Sequence, residues 1–172
     1  MFGFGKKRTV PAEVKPSDIG LLIDARVKIQ RELHEGRLAE ENARVAAAHP
    51  GASLATQFIL TDDIWNGRHS AQLMGALELT PFDAFNVRFL PADEASAAIL
   101  GQPYAYRGQF AEVVRGADDL IAQIFEAEGL PADPFEALGA PEAVKNEVRR
   151  NLAGLTNYLY EEHILPTLRS AG

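Results

Sequence analysis

The sequence predicts a mainly α-helical bundle of about five to seven helices, and two observations carry this prediction. Apolar residues recur at helical spacing in residues 17–48, 109–128 and 141–164. Capping residues, glycines and prolines divide much of the remaining chain into shorter helical segments. A small β-hairpin within residues 55–90 is an open alternative to helix there. We expect the three long helices to supply most of the core.

The 172 residues are enough for one domain with its own core, which we assign to residues 17–172. Residues 1–16 contain two glycines, two prolines and no apolar periodicity. Such a segment is typical of a flexible N-terminal tail. The sequence shows no internal repeat, so a solenoid is not predicted.

Composition and charge exclude several classes of function. The net charge is −7, which argues against a nucleic-acid partner, because phosphate binding needs clustered lysine and arginine. No apolar run approaches the roughly 18 residues of a transmembrane helix. The chain has no cysteine, so disulfides and thiolate metal sites are excluded. Neither a phosphate-binding motif nor a metal-ligand spacing occurs, so we expect no cofactor and no metal. The negative net charge suits a cytoplasmic protein, which is the location we expect.

The first long helix has clear ends but changes character at Gly36. Ser17 is a suitable N-cap, and His49, Pro50 and Gly51 end the segment. Before Gly36 its apolar stripe consists of Ile19, Leu22, Ile23, Val27, Ile29 and Leu33. We expect this first half to pack on the core. The alanine-rich residues 37–48 project or fold back, and they offer a small-residue surface to a partner.

A heptad pattern also runs along this helix, but charged residues and a glycine interrupt it. Its positions are Ile19, Leu22, Arg26, Ile29, Leu33, Gly36, Glu40, Ala43 and Ala47. Arg26, Gly36 and Glu40 are not the apolar residues that such positions require in a long coiled coil. The sequence therefore does not predict a long coiled coil.

The middle of the chain gives conflicting signals. Residues 55–60 fit either a strand or a buried helical turn. Thr80, Pro81 and Asp83 form a helix start, so we favour a helix through Phe89. Residues 85–89 also alternate with period two, which allows a hairpin between residues 76–79 and 86–90.

The later helices have clearer boundaries. Residues 93–100 form a short helix that Gly101 ends, and residues 109–128 form a long amphipathic one that ends at Gly129. Asp133 begins a single helical turn. The last helix runs from residue 141 to residue 164, and Pro166 ends it.

Two segments hold the candidate binding residues. The first combines acids, an aromatic and a histidine, namely Asp62, Asp63, Trp65 and His69; if either acid reaches His69, an oriented imidazole can act as a general base. The second is a loop with the aromatic and cationic side chains typical of recognition surfaces, namely Tyr104, Tyr106 and Arg107. Helix capping by Asp62 and Asp63, with the three aromatic residues packed inward, is the structural interpretation of the same residues.

The leading hypothesis is a helical binding or regulatory module that acts through protein–protein contacts and forms a homodimer. Its basis is the long helix with an alanine-rich second half, together with the absence of any catalytic motif. The alternative is a small enzyme or small-molecule-binding protein with a site near residues 62–69 and 104–107. The sequence does not decide whether a reaction is catalysed.

Overall fold

The structure, a computed structural model, describes residues 16–105 and 111–171 and is mainly α-helical, as predicted. Within these residues it contains seven α-helices, two π-helical turns and one two-stranded sheet. In chain order the elements are α1 (Pro16–Ala48), β1 (Leu54–Phe58), α2 (Asp62–Trp65), the first π-helical turn (Ala71–Ala76), β2 (Val87–Pro91), α3 (Glu94–Leu100), α4 (Ala111–Glu128), α5 (Pro134–Leu138), α6 (Glu142–Leu159), the second π-helical turn (Tyr160–Ile164) and α7 (Leu165–Ala171). Residues 1–15 of the predicted tail lie outside the described residues.

The two strands confirm a small antiparallel sheet within the middle of the chain. Leu54 of β1 pairs with Pro91 of β2, and the register runs to Phe58 opposite Val87. The helix favoured from Thr80 through residue 89 is therefore wrong, and so is the pairing of residues 86–90 with residues 76–79.

The helix-start residues of this segment form a turn instead of a helix. The Asp83 carboxylate accepts hydrogen bonds from the Thr80 backbone N–H at 2.5 Å and from the Thr80 hydroxyl at 2.9 Å. The side chain of Asn86 is fully buried and bonds to the backbone of Leu60 and Pro81. These contacts tie the turn to the end of β1, and strand pairing of the alternating residues that follow prevails over helix.

The core is built chiefly from α4, α6 and the residues around the first π-helical turn. Ile121 of α4, Val148 and Leu152 of α6 and Leu73 are each fully buried. Trp65 packs among them at 2% exposure. The described part of the apolar stripe predicted for the second long helix and the stripe of the third thus face the core, where burial of each large side chain contributes about 1.5–3 kcal/mol.

The first long helix is continuous through Gly36 but does not pack as predicted. Leu22 is 60% exposed, and Ile29 and Leu33 are each 55% exposed. None of the buried apolar side chains in the described part of the chain comes from α1. The prediction that its first half packs on the core is therefore wrong. The predicted stripe spans two faces of the helix, and the rest of the fold covers only the face carrying residues 23, 27, 30, 34 and 38.

Polar side chains attach α1 to the sheet. His34 is buried, and its Nε2 atom lies 2.8 Å from the Thr56 hydroxyl of β1. The Asn42 side chain donates to the Leu54 carbonyl at 3.1 Å and accepts from the Leu54 N–H at 2.6 Å. Asn42 thereby bonds to both the N–H and the C=O of Leu54. At the outer edge of β1 these two backbone groups would otherwise lack partners.

The helices α3 and α5 follow their capping signals, whereas the last helix does not end where the sequence predicted. Asp93 caps α3, and Asp133 caps α5 by accepting from two backbone N–H groups. Gly101 and Gly129 adopt left-handed conformations at the ends of α3 and α4. The prediction that Pro166 ends the last helix is wrong, because the chain continues through the second π-helical turn into α7. Proline is tolerated in the first turn of α7, and the wide turn before it leaves room for the ring.

Candidate functional site

A groove of about 250 Å³ lies between the start of α1, the first π-helical turn and α5. Its walls are mostly apolar, with one basic and one acidic side chain among them. The lining residues are Ile19, Leu22, Ile23, Arg26, Gly75, Glu78 and Leu138. Of the α1 residues that line the groove, Leu22 is exposed, whereas Ile19, Ile23 and Arg26 are half-buried. The groove therefore lies at the border between the covered and the exposed face of the helix.

Arg26 crosses the groove and joins α1 to the π-helical turn. Its guanidinium donates one hydrogen bond to the Met74 carbonyl at 2.9 Å and one to the Glu78 carboxylate at 3.0 Å. Glu78 has a backbone φ of 57°, the left-handed conformation that costs a non-glycine residue about 1–2 kcal/mol. Arginine has five N–H donors, so the guanidinium keeps capacity for a further carboxylate.

Gly75 keeps the groove open. A Cβ atom at this position would meet the Ile23 Cδ1 atom at 3.9 Å, and the Ile19 Cγ2 and Leu138 Cδ2 atoms at 4.0 Å. These are ordinary van der Waals distances. A methyl group would therefore contact all three walls without overlap, and larger side chains would fill the groove.

From the groove, an exposed line of residues continues along α1. We call it the α1 seam, and it comprises Ile19, Leu22, Arg26, Ile29, Leu33, Gly36, Glu40, Ala43 and Ala47. From Ile29 to its end every seam residue is exposed. Glu40 takes part in none of the ion pairs formed by the described residues. The seam thus combines exposed apolar residues, small residues and two opposite charges.

The structure separates the residues of the first candidate segment. Trp65 is a core residue whose indole N–H donates to the Leu60 carbonyl at 3.2 Å. Asp62 and Asp63 are exposed in the first turn of α2. Thr61 occupies the N-cap position, but its hydroxyl is buried without a hydrogen-bond partner.

His69 meets an acid from another element. Its Nε2 atom lies 3.9 Å from the Asp118 Oδ1 atom of α4, whereas Asp62 and Asp63 form no ion pair with it within the described residues. Both imidazole nitrogens and that carboxylate oxygen are buried without a hydrogen bond. Burial is the main reason why the pKa of His69 lies below 6.5, although the Asp118 charge opposes this shift.

Arg68 holds the acid beside this histidine. Its side chain bonds to Asp118 and to Asp119 at 2.7 Å each. One oxygen of the Asp118 carboxylate therefore pairs with Arg68, and the other faces His69. The Phe125 ring stands edge-on to the imidazole at 5.3 Å and closes one side of the cluster.

The second candidate segment is described only in part. Tyr104 is half-buried, and the following residue, Ala105, donates its N–H to the Pro91 carbonyl of β2 at 2.7 Å. Tyr106 and Arg107 lie outside the described residues. Neither Tyr104 nor any residue of 62–69 lines the groove. The convergence of the two segments on one site stays a prediction.

Sequence reasoning missed most of the groove. Gly75, Glu78 and Leu138 carry no motif, and only the fold brings them to α1. The available signal was Arg26, a charged residue within an apolar heptad pattern. In the part of the chain that the structure describes, no group of three or more potential metal ligands occurs, and no helix is long and apolar enough to cross a membrane.

Comparison with known proteins adds no relative: no family model, curated protein or solved structure matches the chain. The surface on α1 therefore has to be interpreted from its own geometry and chemistry.

Proposed function

We propose that this protein is a cytoplasmic helical binding module that acts through protein–protein contacts and self-associates through the α1 seam. The observation that carries the proposal is the exposure of Leu22, Ile29 and Leu33 on one face of a helix. Scattered exposed apolar residues are normal, but several large ones aligned on one helix face beside a groove are typical of an interaction surface.

The dimensions of this surface favour a protein partner over a small ligand. The seam extends over residues 19–47, about 42 Å at about 1.5 Å per residue. The groove alone is smaller than the roughly 300–1,000 Å³ pockets that enclose small molecules. A helix laid along the seam would cover the groove and the exposed residues together.

Sedimentation equilibrium of the wild type and two matched variants tests this proposal. Ile29→Glu places a charge on the seam, and we expect the dimer Kd to rise at least about tenfold. Leu21→Glu makes the same kind of change about 80° around the helix from Ile29, on a residue that is 69% exposed, and should leave association unchanged. A wild type that stays monomeric at high concentration would contradict self-association.

A small-molecule site near residues 62–69 and 104–107 is the second candidate function. It is favoured by the unpaired polar atoms of His69 and Asp118, since buried polar groups normally have partners. A thermal-shift screen of a metabolite library against the wild type and His69→Phe tests it. A compound that stabilises only the wild type supports the site, and equal effects on both proteins argue against it.

A further inference from the structure

The two charged residues of the α1 seam are placed symmetrically. Arg26 precedes Leu33 by seven residues, and Glu40 follows it by seven. Seven residues are two helical turns, so all three side chains lie on one line of the helix. A two-fold axis through that leucine would place these opposite charges against each other, so they are complementary in such a pair.

The sizes of the other seam residues follow the same symmetry to within one residue. Leu22 lies eleven residues before Leu33, and Ala43 lies ten residues after it. Ile29 likewise lies opposite Gly36 about this centre. In an antiparallel pair the large residues of the first half of one helix would therefore face the small residues of the other helix's second half. This explains why the seam changes to glycine and alanine after Leu33.

We propose that two copies of this chain pack their α1 helices antiparallel about a two-fold axis at Leu33, with Arg26 of each copy facing Glu40 of the other. The inference rests on the proposed self-association and specifies its geometry. Arg26 and Glu40 interrupt the heptad pattern of a single helix, but their charges are complementary when two helices pair antiparallel. Over four heptads the pairing has the length that a stable helix pair needs.

The contacts within one copy are compatible with this arrangement. His34 and Asn42 hold the inner face of α1 against β1, which leaves the seam exposed. Arg26 is oriented by Glu78 and retains N–H donors for Glu40 of the second copy. Glu40 is exposed and has no ion-pair partner within the described residues of its own chain.

Charge also distinguishes the antiparallel pair from a parallel one. A parallel pair in register would place Arg26 against Arg26 and Glu40 against Glu40 at seam positions. Like charges at such positions are destabilising and select against that orientation. The antiparallel pair replaces both repulsions by two attractions.

Disulfide trapping tests the geometry in full-length protein, because the chain has no cysteine of its own. Leu33→Cys should cross-link to its copy under mild oxidation. Leu22→Cys should not cross-link to itself, because the antiparallel arrangement separates the two sites by about 33 Å, far beyond the roughly 7 Å that a disulfide allows. Leu22→Cys mixed with a mass-tagged Ala43→Cys should give a mixed dimer.

A charge variant provides a second measurement. Glu40→Lys would place a cation against Arg26 of the other copy, and we expect the dimer Kd to rise roughly tenfold. Glu35→Lys makes the same charge change on an exposed position away from the seam and should leave the Kd unchanged.

The outcomes separate this inference from the proposed function. A dimer in which Leu22→Cys cross-links to itself, or in which the mixed pair fails to form, overturns the antiparallel geometry while self-association stands. Equal Kd values for Glu40→Lys and the wild type also overturn it. A chain that remains monomeric under all conditions contradicts both self-association and the antiparallel geometry.

Discussion

Arg26 of α1 and Glu78, which follows the first π-helical turn, form a 3.0 Å ion pair across 52 residues of sequence. The pair bridges the groove at a point where the chain adopts a left-handed conformation. Because both side chains are partly exposed, the ion pair alone is worth only about 0–1 kcal/mol. The backbone conformation of Glu78 is therefore the larger energetic feature of this site.

Two substitutions of Glu78 should separate the ion pair from the backbone strain. Glu78→Ala and Glu78→Gly both lose the contact with Arg26, but only glycine adopts a positive φ without strain. We expect Glu78→Gly to be more stable than Glu78→Ala by about 0.5–1 kcal/mol. Denaturant unfolding measures the difference, and equal stabilities would show that the turn relaxes without cost.

The hydrogen bond between His34 and Thr56 should be important for the attachment of α1. Thr56→Val keeps the shape of the side chain but leaves the His34 Nε2 atom buried without a partner, as its Nδ1 atom already is. We expect a loss of about 1–3 kcal/mol in the free energy of unfolding. The double variant His34→Phe/Thr56→Val removes the unpaired ring nitrogens and should recover part of this loss, whereas no recovery would contradict the explanation.

Stability should fall in mildly acidic solution because two histidines are buried. Burial lowers the pKa values of His34 and His69 below 6.5, so the unfolded chain binds more protons than the folded one in this range. The contribution of both groups is complete above about pH 6.5 and is lost as the pH falls toward their lowered folded values. Equilibrium unfolding between pH 4 and 8 should give a shallower pH dependence for His69→Phe than for the wild type. Identical slopes would exclude a contribution from His69.

Asn86 should be among the most sensitive polar positions. It is fully buried, and its side chain bonds to the Leu60 N–H at 2.6 Å and to the Pro81 carbonyl at 2.9 Å. Asn86→Ala leaves these backbone groups unpaired, and we expect a loss of about 2–4 kcal/mol. Asn66→Ala is the matched control on an exposed asparagine and should cost less than about 1 kcal/mol. A similar loss in both variants would contradict the structural role of Asn86.

The sequence predicted elements well where one face of a helix decides the structure. In α4 and α6 a single apolar stripe faces the core, and its members Ile121 and Leu152 are fully buried. In α1 apolar residues occupy more than one face, and periodicity cannot tell which face the fold covers. The sheet covers the face of His34, whose Nε2 atom lies 2.8 Å from the Thr56 hydroxyl of β1.

Features that depend on distant parts of the chain could not be predicted. The strand at residues 87–91 pairs with a strand that lies 29 to 37 residues earlier in the chain, and a local helix-start pattern gave no sign of this. The acid beside His69 is Asp118 of α4, not the adjacent Asp62 or Asp63. The groove joins α1 to Leu138, so no short motif could have indicated it.

The attachment of α1 mainly by polar side chains, among them Arg26, His34 and Asn42, has a consequence for amide hydrogen exchange. Because the helix buries little apolar surface, it can open as a unit while α4 and α6 stay closed, at a free energy below that of global unfolding. Its amides should therefore exchange earlier than those of the core helices. Pairing with a second copy would suppress this local opening. Association would therefore slow the amide exchange of α1 and leave that of the other helices unchanged.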